Sequence, residues 1–328
     1  MATEAWNGPP CRVLILDDDA LIVRAVARAL RSHGLTIETT TDPDEALAAA
    51  QREEPHVVIS DLHMPKSCGA QFLTSIASVA PGALRVLMSA DPAFQPELGS
   101  LAEARVHSLV SKSDLGSLTT LLLTLLRGRF EVPKTLEERE ALAHRVAHVL
   151  ARPNAEDDAH RHRTARLASQ VATLMNLAPE EVEQARLGAI LHDVGQMAVP
   201  HRAFAPPGRL GPDDRARLEG HPHAGARIVD AMPGLRAALP VIGSHHERQD
   251  GRGYPEGLTG DAIPGAARAF QVADAYDAMT SGRPHAPARS HGDAIAELTA
   301  HAGRQHDSRA VSALASIGEE GLATVLRR

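Results

Sequence analysis

The sequence predicts two domains of different class: an α/β doubly wound five-stranded parallel sheet, followed by an all-α domain. Three observations carry this. Up to about Arg127, short apolar runs alternate with amphipathic stretches, the pattern of strands and their covering helices. From Asn154 onward apolar residues recur at helical spacing, with no convincing strand. A chain of 328 residues also divides more naturally into two domains of ordinary size than it forms one. The expected divisions are residues 10–128, a linker and connecting helix at 129–153, and residues 154–328.

Taken in order, strands are expected at Val13–Leu16, Thr36–Thr39, Val57–Ser60, Arg85–Met88 and Val106–Val110, which are short and rich in aliphatic or β-branched residues. Helices are expected at Leu21–Ser32, Pro43–Arg52, Gln71–Val79 and Leu115–Leu126. A helix between Asp91 and Arg105 would be short, because prolines and a glycine interrupt it. The segment GRFEVPK then joins the modules directly. The stretch after it forms a helix with Leu142, Val146, Val149 and Leu150 on one face, ended by Pro153, and core packing is its expected role.

Composition excludes several function classes. The chain is 43% hydrophobic and 23% charged, enough apolar material for two cores. A net charge of -7 with scattered arginines argues against nucleic acid or an anionic membrane as partner. Aromatics at 2% leave no base-stacking platform, and no helix-turn-helix is evident. No apolar run is long enough to span a bilayer, and MATEAWNGPPCR lacks a signal-peptide core. With only Cys11 and Cys68, no disulfide framework is implied. A cytoplasmic location is the resulting expectation.

Ligands of doubly wound sheets sit at the carboxyl ends of the strands. Here the first strand ends in Asp17, Asp18 and Asp19, the third in Asp61, the fourth in Ser89, and the fifth leads to Lys112. A lone acidic tripeptide is more often a helix cap. Carboxylates gathered at one sheet edge, however, need a cation, and hard oxygen donors suit magnesium. A hydroxyl and an ammonium beside them complete a site for a phosphoryl group. This segment resembles the flavodoxin-like receiver domain of two-component response regulators. The resemblance implies that Asp61 accepts the phosphoryl group, that Asp17 and Asp18 hold magnesium, and that His63 lends it a backbone carbonyl. Ser89 and Lys112 would contact the phosphoryl group, and a sensor histidine kinase would supply it. Two positions depart from the receiver pattern: Leu109 stands where an aromatic is usual, and Ser113 where a proline follows the lysine.

The helical half concentrates imidazoles and carboxylates. Glu156 and His160 are four apart and share a helix face, as do Asp274 and Asp277, three apart. His192 and Asp193 are adjacent, as are His245 and His246, and a Gly253-Tyr254-Pro255 turn follows. Each pair alone is more often a surface feature; the assembled set points to a metal site. Imidazole and carboxylate donors suit iron or manganese, with zinc also open. Two or three divalent ions in such a pocket activate water and neutralise phosphodiester oxygens.

These clusters resemble the HD-GYP family of metal-dependent cyclic di-GMP phosphodiesterases over roughly residues 140 to 315. The resemblance implies Glu156, His160, His192, Asp193, His221, His245, His246 and Asp274 as metal ligands, with Asp193 bridging two ions and Glu156 serving a third. Family preference favours iron or manganese. His192, Asp193 and position 196 carry the catalytic motif, while Arg283 and the Gly253-Tyr254-Pro255 turn face substrate. Gln196 departs from the family lysine, and His285 and Ala286 depart from an aromatic and a basic residue. Losing one charge-assisted contact would cost about 1.5 to 3 kcal/mol of transition-state stabilisation. His144, His148, His162 and His301 have no motif position and read as surface or packing residues.

The combined expectation is a response regulator whose phosphorylation tunes cyclic di-GMP hydrolysis to pGpG or GMP. The alternative is a catalytically weak or inactive module that senses a cyclic dinucleotide or docks a protein. Expected partners are a cognate histidine kinase, cyclic di-GMP, diguanylate cyclases of the GGDEF type and a second copy of the chain.

Overall fold

The computed structural model describes residues 6–65, 67–90, 106–150, 158–199, 211–281 and 287–327. The stretch from Asp91 to Arg105, where a short helix is expected, lies outside the described residues, as does Pro153. Two compact units emerge, one of Met1–Val132 with Gln196–Leu218 and Ala231–Pro233, the other of Pro133–Gly195, Glu219–Asp230 and Gly234–Arg328.

The first unit holds β1 (Arg12–Leu16), α1 (Ala20–Arg31), β2 (Thr36–Thr40), α2 (Pro43–Arg52), β3 (Val57–Asp61), α3 (Gly69–Val79), β4 (Leu84–Ser89), β5 (Ser108–Ser111) and α4 (Leu115–Phe130). The sheet is parallel throughout, in the order β2-β1-β3-β4-β5. Strands β3 and β4 are buried at every residue, as expected when helices cover both faces. On one face Leu14, Leu16, Val58 and Leu87 pack with Ala46 and Ala49 of α2 and Phe72, Leu73 and Ile76 of α3. Helix starts follow their caps: Asp19 accepts from the Leu21 amide, Asp42 from Asp44, and Asp114 from Ser117. Helix α4 runs past the expected end at Leu126 to Phe130, with Arg127 and Arg129 favourably placed in its last turn.

The second unit is helical: α5 (Leu136–Leu150), α6 (Asp158–Leu174), α7 (Pro179–Leu191), the start of a 3-10 turn (Val194–Ala198), α9 (His221–Asp230), α10 (Leu239–Ser244), α11 (Gly265–Thr280), α12 (His291–Ala300), α13 (Ser308–Ser316) and α14 (Gly318–Arg327), while α8 (Pro212–Glu219) groups almost wholly with the first unit. Helices α6, α7 and α11 pack on one another as its centre, with α5 and α10 against α7. Most of α11 from Gly265 to Ala273 is buried, Phe270 among its largest core side chains. Helix α5 buries Leu142, Ala143, Val146, Ala147 and Leu150, whereas Val149 is only partly covered. Among the described residues, no helix is long and apolar enough to cross a membrane.

Candidate phosphoryl and metal sites

Strand register decides the first site. Leu16 pairs with Ser60, Asp61 with Met88 and Ser89 with Ser111, so the residues at these strand ends share one sheet edge. Oxygens of Asp17, Asp18 and Asp61 lie within 4.8 Å of one another. Lys112 Nζ stands 2.7 Å from Asp17 and 2.9 Å from Asp61. The Lys112 amide donates to the Ser89 carbonyl at 2.8 Å, which brings ammonium and hydroxyl to the same edge. Burial alone would lower the Lys112 pKa, but hydrogen bonds to both carboxylates push it above the ordinary lysine value. Burial pushes Asp17 up, against the pull of Lys112. His63 bridges to Cys68 in the loop that follows Asp61. Leu109 lies partly buried against the α2–α3 core.

In the helical unit, seven predicted ligands come together from five segments. His160 lies on α6, His192 and Asp193 directly follow α7, and His221 opens α9. His245 and His246 follow α10, and Asp274 lies on α11. They form two clusters, His160–His192–Asp274 and Asp193–His221–His245–His246, each with donor atoms within 4.8 Å of one another. Asp193 faces both. Its Oδ2 is 3.3 Å from His192 Nε2, while Oδ1 is 3.4 Å from His221 Nε2 and 3.7 Å from His245 Nε2. Glu156, the expected eighth ligand, lies outside the described residues.

The donor set fits divalent ions. His192 Nδ1 donates to the Ala189 carbonyl at 3.0 Å and His245 Nδ1 to the Ile242 carbonyl at 2.9 Å. This tautomer turns each Nε2 lone pair toward the cluster. His221 Nε2 and His245 Nε2 approach to 3.0 Å, an arrangement that a shared cation would relieve. Asp274 Oδ1 is buried without a hydrogen bond and lies 3.3 Å from His160 Nε2. Burial pushes the His246 pKa down to about 2, aided by the neighbouring imidazoles, and lowers His245 as well. Both rings therefore stay neutral, the form that coordinates metal. Burial would raise the Asp193 carboxyl, yet His192, His221 and His245 hold it well below the usual carboxylate range.

The response regulator receiver domain family matches residues 13–122, and the HD domain family matches residues 138–310, more than half of the chain. The chain belongs to the HD domain family. It is similar to the cyclic di-GMP phosphodiesterase response regulator RpfG of Xanthomonas campestris, 29% identical over 92% of this chain and 86% of that protein. A cyclic di-GMP phosphodiesterase of Thermotoga maritima is 26% identical over 96% of this chain and 92% of its own length. A 3'3'-cGAMP-specific phosphodiesterase 2 of Vibrio cholerae is 30% identical over 57% of this chain and 36% of its own length.

Around the HD ligands stand residues whose part the sequence reading missed. Asp277 Oδ2 accepts from His160 Nδ1 at 2.7 Å, fixing that ring's tautomer. Arg163 donates to both Asp277 oxygens, at 2.6 and 3.0 Å, and Ser281 donates to Oδ1 at 3.1 Å. Burial would raise the Asp277 carboxyl, but His160 and Arg163 hold it below its ordinary range. The spacing of Asp274 and Asp277 places them on one face of α11; only the fold shows that Asp277 orients a ligand.

The Gly253-Tyr254-Pro255 turn is held by Glu247, which is buried and accepts from the Glu256 amide at 2.7 Å and the Leu258 amide at 2.9 Å. A Cβ at Gly253 would stand 2.5 Å from the Arg248 nitrogen, so the turn needs glycine there. Tyr254 stacks on His246 with ring centroids 4.5 Å apart, which puts the turn beside the metal cluster. Gln196 lies in the 3-10 turn that follows Asp193, partly exposed. Arg283, His285 and Ala286 lie outside the described residues.

Proposed function

We propose that this chain is a response regulator in which phosphorylation of Asp61 tunes a metal-dependent hydrolysis of cyclic di-GMP to pGpG, and onward to GMP. The observation that carries the reading is Asp193, with one oxygen toward His192 and the other toward His221 and His245. A carboxylate shared by two ligand clusters is what a two-ion phosphodiesterase centre requires. The near full-length likeness to proteins named cyclic di-GMP phosphodiesterases supports the choice of substrate.

Iron or manganese is the metal we assign to the HD centre, from its mixed imidazole and carboxylate donors. Magnesium is assigned to Asp17, Asp18 and Asp61, whose donors are all oxygen. When bound, the HD ions activate water and neutralise the diester oxygens. The residues then divide the work. His160, His192 and Asp274 would hold one ion and His221, His245 and His246 the other, with Asp193 serving both. Tyr254 and Arg283 would position the dinucleotide. Water oxygen adds to phosphorus as the bond to the 3'-oxygen breaks, and the leaving 3'-oxygen takes up a proton, giving linear pGpG. In place of the family lysine, Gln196 can donate a hydrogen bond to a phosphate oxygen but brings no charge.

The decisive assay incubates anaerobically purified, iron- or manganese-loaded protein with cyclic di-GMP and resolves the products by chromatography. Formation of pGpG that vanishes in the His192→Ala, Asp193→Ala variant is the expected result. Gln196 also favours a second reading, a dinucleotide sensor with little turnover, which intact substrate in the presence of fully loaded metal would support. Gln196→Lys separates the two: a large gain in rate marks a weakened enzyme, and no gain marks a retooled site.

A further inference from the structure

Three histidines without a motif position, His144, His148 and His162, gather where α5 meets the start of α6. His144 and His148 are four apart on α5, and Asp158 and His162 are four apart on α6, so each helix offers a pair of donors on one face. The pairs meet in space. The His144 and His162 rings stack 3.8 Å apart at an interplanar angle of 24°. His148 Nδ1 lies 3.5 Å from Asp158 Oδ2, while Arg161 donates to the other oxygen, Oδ1. His144 Nδ1 is buried without a hydrogen bond, which costs free energy that a ligand to this nitrogen would recover.

We propose that His144, His148, Asp158 and His162 form a second divalent-metal site that fastens the connecting helix α5 to α6, separate from the HD centre. Three imidazoles and one carboxylate make a four-coordinate set of the kind zinc takes, and nitrogen-rich donors select zinc, nickel or copper over magnesium or calcium. As they stand, the donors form two facing pairs and not one closed shell among the described residues. Closing the shell calls for rotation of these side chains, for which His148 and Asp158, 67% and 53% exposed, and the exposed His162 have room. His162 follows the HD ligand His160 by two residues, so an ion here would tie α5 to the helix that carries a catalytic-centre ligand.

The test is the zinc content of the full chain after dialysis at fixed free zinc, measured by plasma mass spectrometry. Four forms are compared: the natural chain, His148→Gln with His162→Gln, Asp193→Asn, and the three substitutions combined, each checked for unchanged far-ultraviolet circular dichroism. The paired glutamines should remove one zinc per chain in both the natural and the Asp193→Asn backgrounds. Zinc should also raise the unfolding temperature of the Asp193→Asn form more than that of the triple variant. Equal zinc content in Asp193→Asn and the triple variant would overturn the proposal. So would a loss confined to the natural background, which would place the effect at the HD centre.

Discussion

Asp277 does not point a free oxygen at the metal clusters, yet it governs one of their ligands. Its Oδ2 holds His160 at 2.7 Å, and Arg163 grips both its oxygens. Removing the carboxylate takes away the hydrogen bond that fixes the His160 tautomer, so Asp277→Ala should weaken metal retention by about 10- to 100-fold. Competition with a chelator reads this directly, and retention equal to the natural chain would show that His160 needs no such support. A different single residue sets a pH dependence of stability. His306 is buried, and its pKa is pushed down to about 4, chiefly by burial and further by His301 and Arg248. The unfolded chain binds a proton at this ring near pH 6.5, whereas the folded chain resists it down to about 4. Its contribution is therefore full above 6.5, declines as the pH falls through that window, and changes little below it. The span is at most about 3 kcal/mol. Urea unfolding from pH 7.5 to 4 should show the decline, and His306→Gln should flatten it; an unchanged slope in that variant would assign the decline elsewhere.

Short elements were legible where physical constraint was strict. Strands β1, β3 and β4 are almost wholly buried, so their apolar runs stand out, and acidic or polar residues mark their ends at Asp17, Asp61 and Ser89. The fifth strand was less distinct: it is only partly buried and begins at Ser108, while His107 already donates to the Arg85 carbonyl. The candidate metal cluster was legible because few side chain types coordinate metals and the adjacent pairs are conspicuous. Asp277 and Glu247 were not, since their work depends on tertiary contacts: Asp277 meets His160 across 117 residues of sequence, and Glu247 acts on loop amides that no spacing rule identifies. The turn between α7 and α8 shows how packing completes the ligand set. A Cβ at Gly195 would lie 2.0 Å from the His221 carbonyl and 2.5 Å from the Gly225 nitrogen. Backbone cannot yield as a flexible side chain does, so Gly195→Ala should push α9, and His221 with it, away from Asp193. The expected cost is about 1 to 3 kcal/mol in stability, with loss of metal from the cluster containing His221. Thermal unfolding beside metal analysis checks both, and a fully loaded, equally stable variant would show that α9 can shift without consequence.

At the scale of the whole molecule, one chain joins a candidate phosphoryl site to a candidate metal centre, and each is built on its own core. In the receiver, Lys112 lies between Asp17 and Asp61, so its position depends on the charge at Asp61. Phosphorylation there would add a dianion and strong acceptor oxygens, which would recruit Lys112 and the Ser89 hydroxyl and redistribute the contacts of β4 and β5. Leu109, on β5 between Ser108 and Val110, stands where receivers usually carry a switching aromatic. It is partly buried against the α2–α3 core, so movement of β5 would alter packing through an aliphatic side chain and not through rotation of a ring. Such a switch should couple the two activities less steeply than a ring would. We therefore expect beryllofluoride with magnesium to change the rate of cyclic dinucleotide hydrolysis severalfold, toward the lower end of the 5- to 150-fold range typical of allosteric coupling. Asp61→Asn should keep its basal rate and lose the response. Leu109→Tyr, which restores a ring, should widen it. An identical rate with and without beryllofluoride in the natural chain would mean that the receiver controls something other than turnover, such as access of a partner protein to the HD domain.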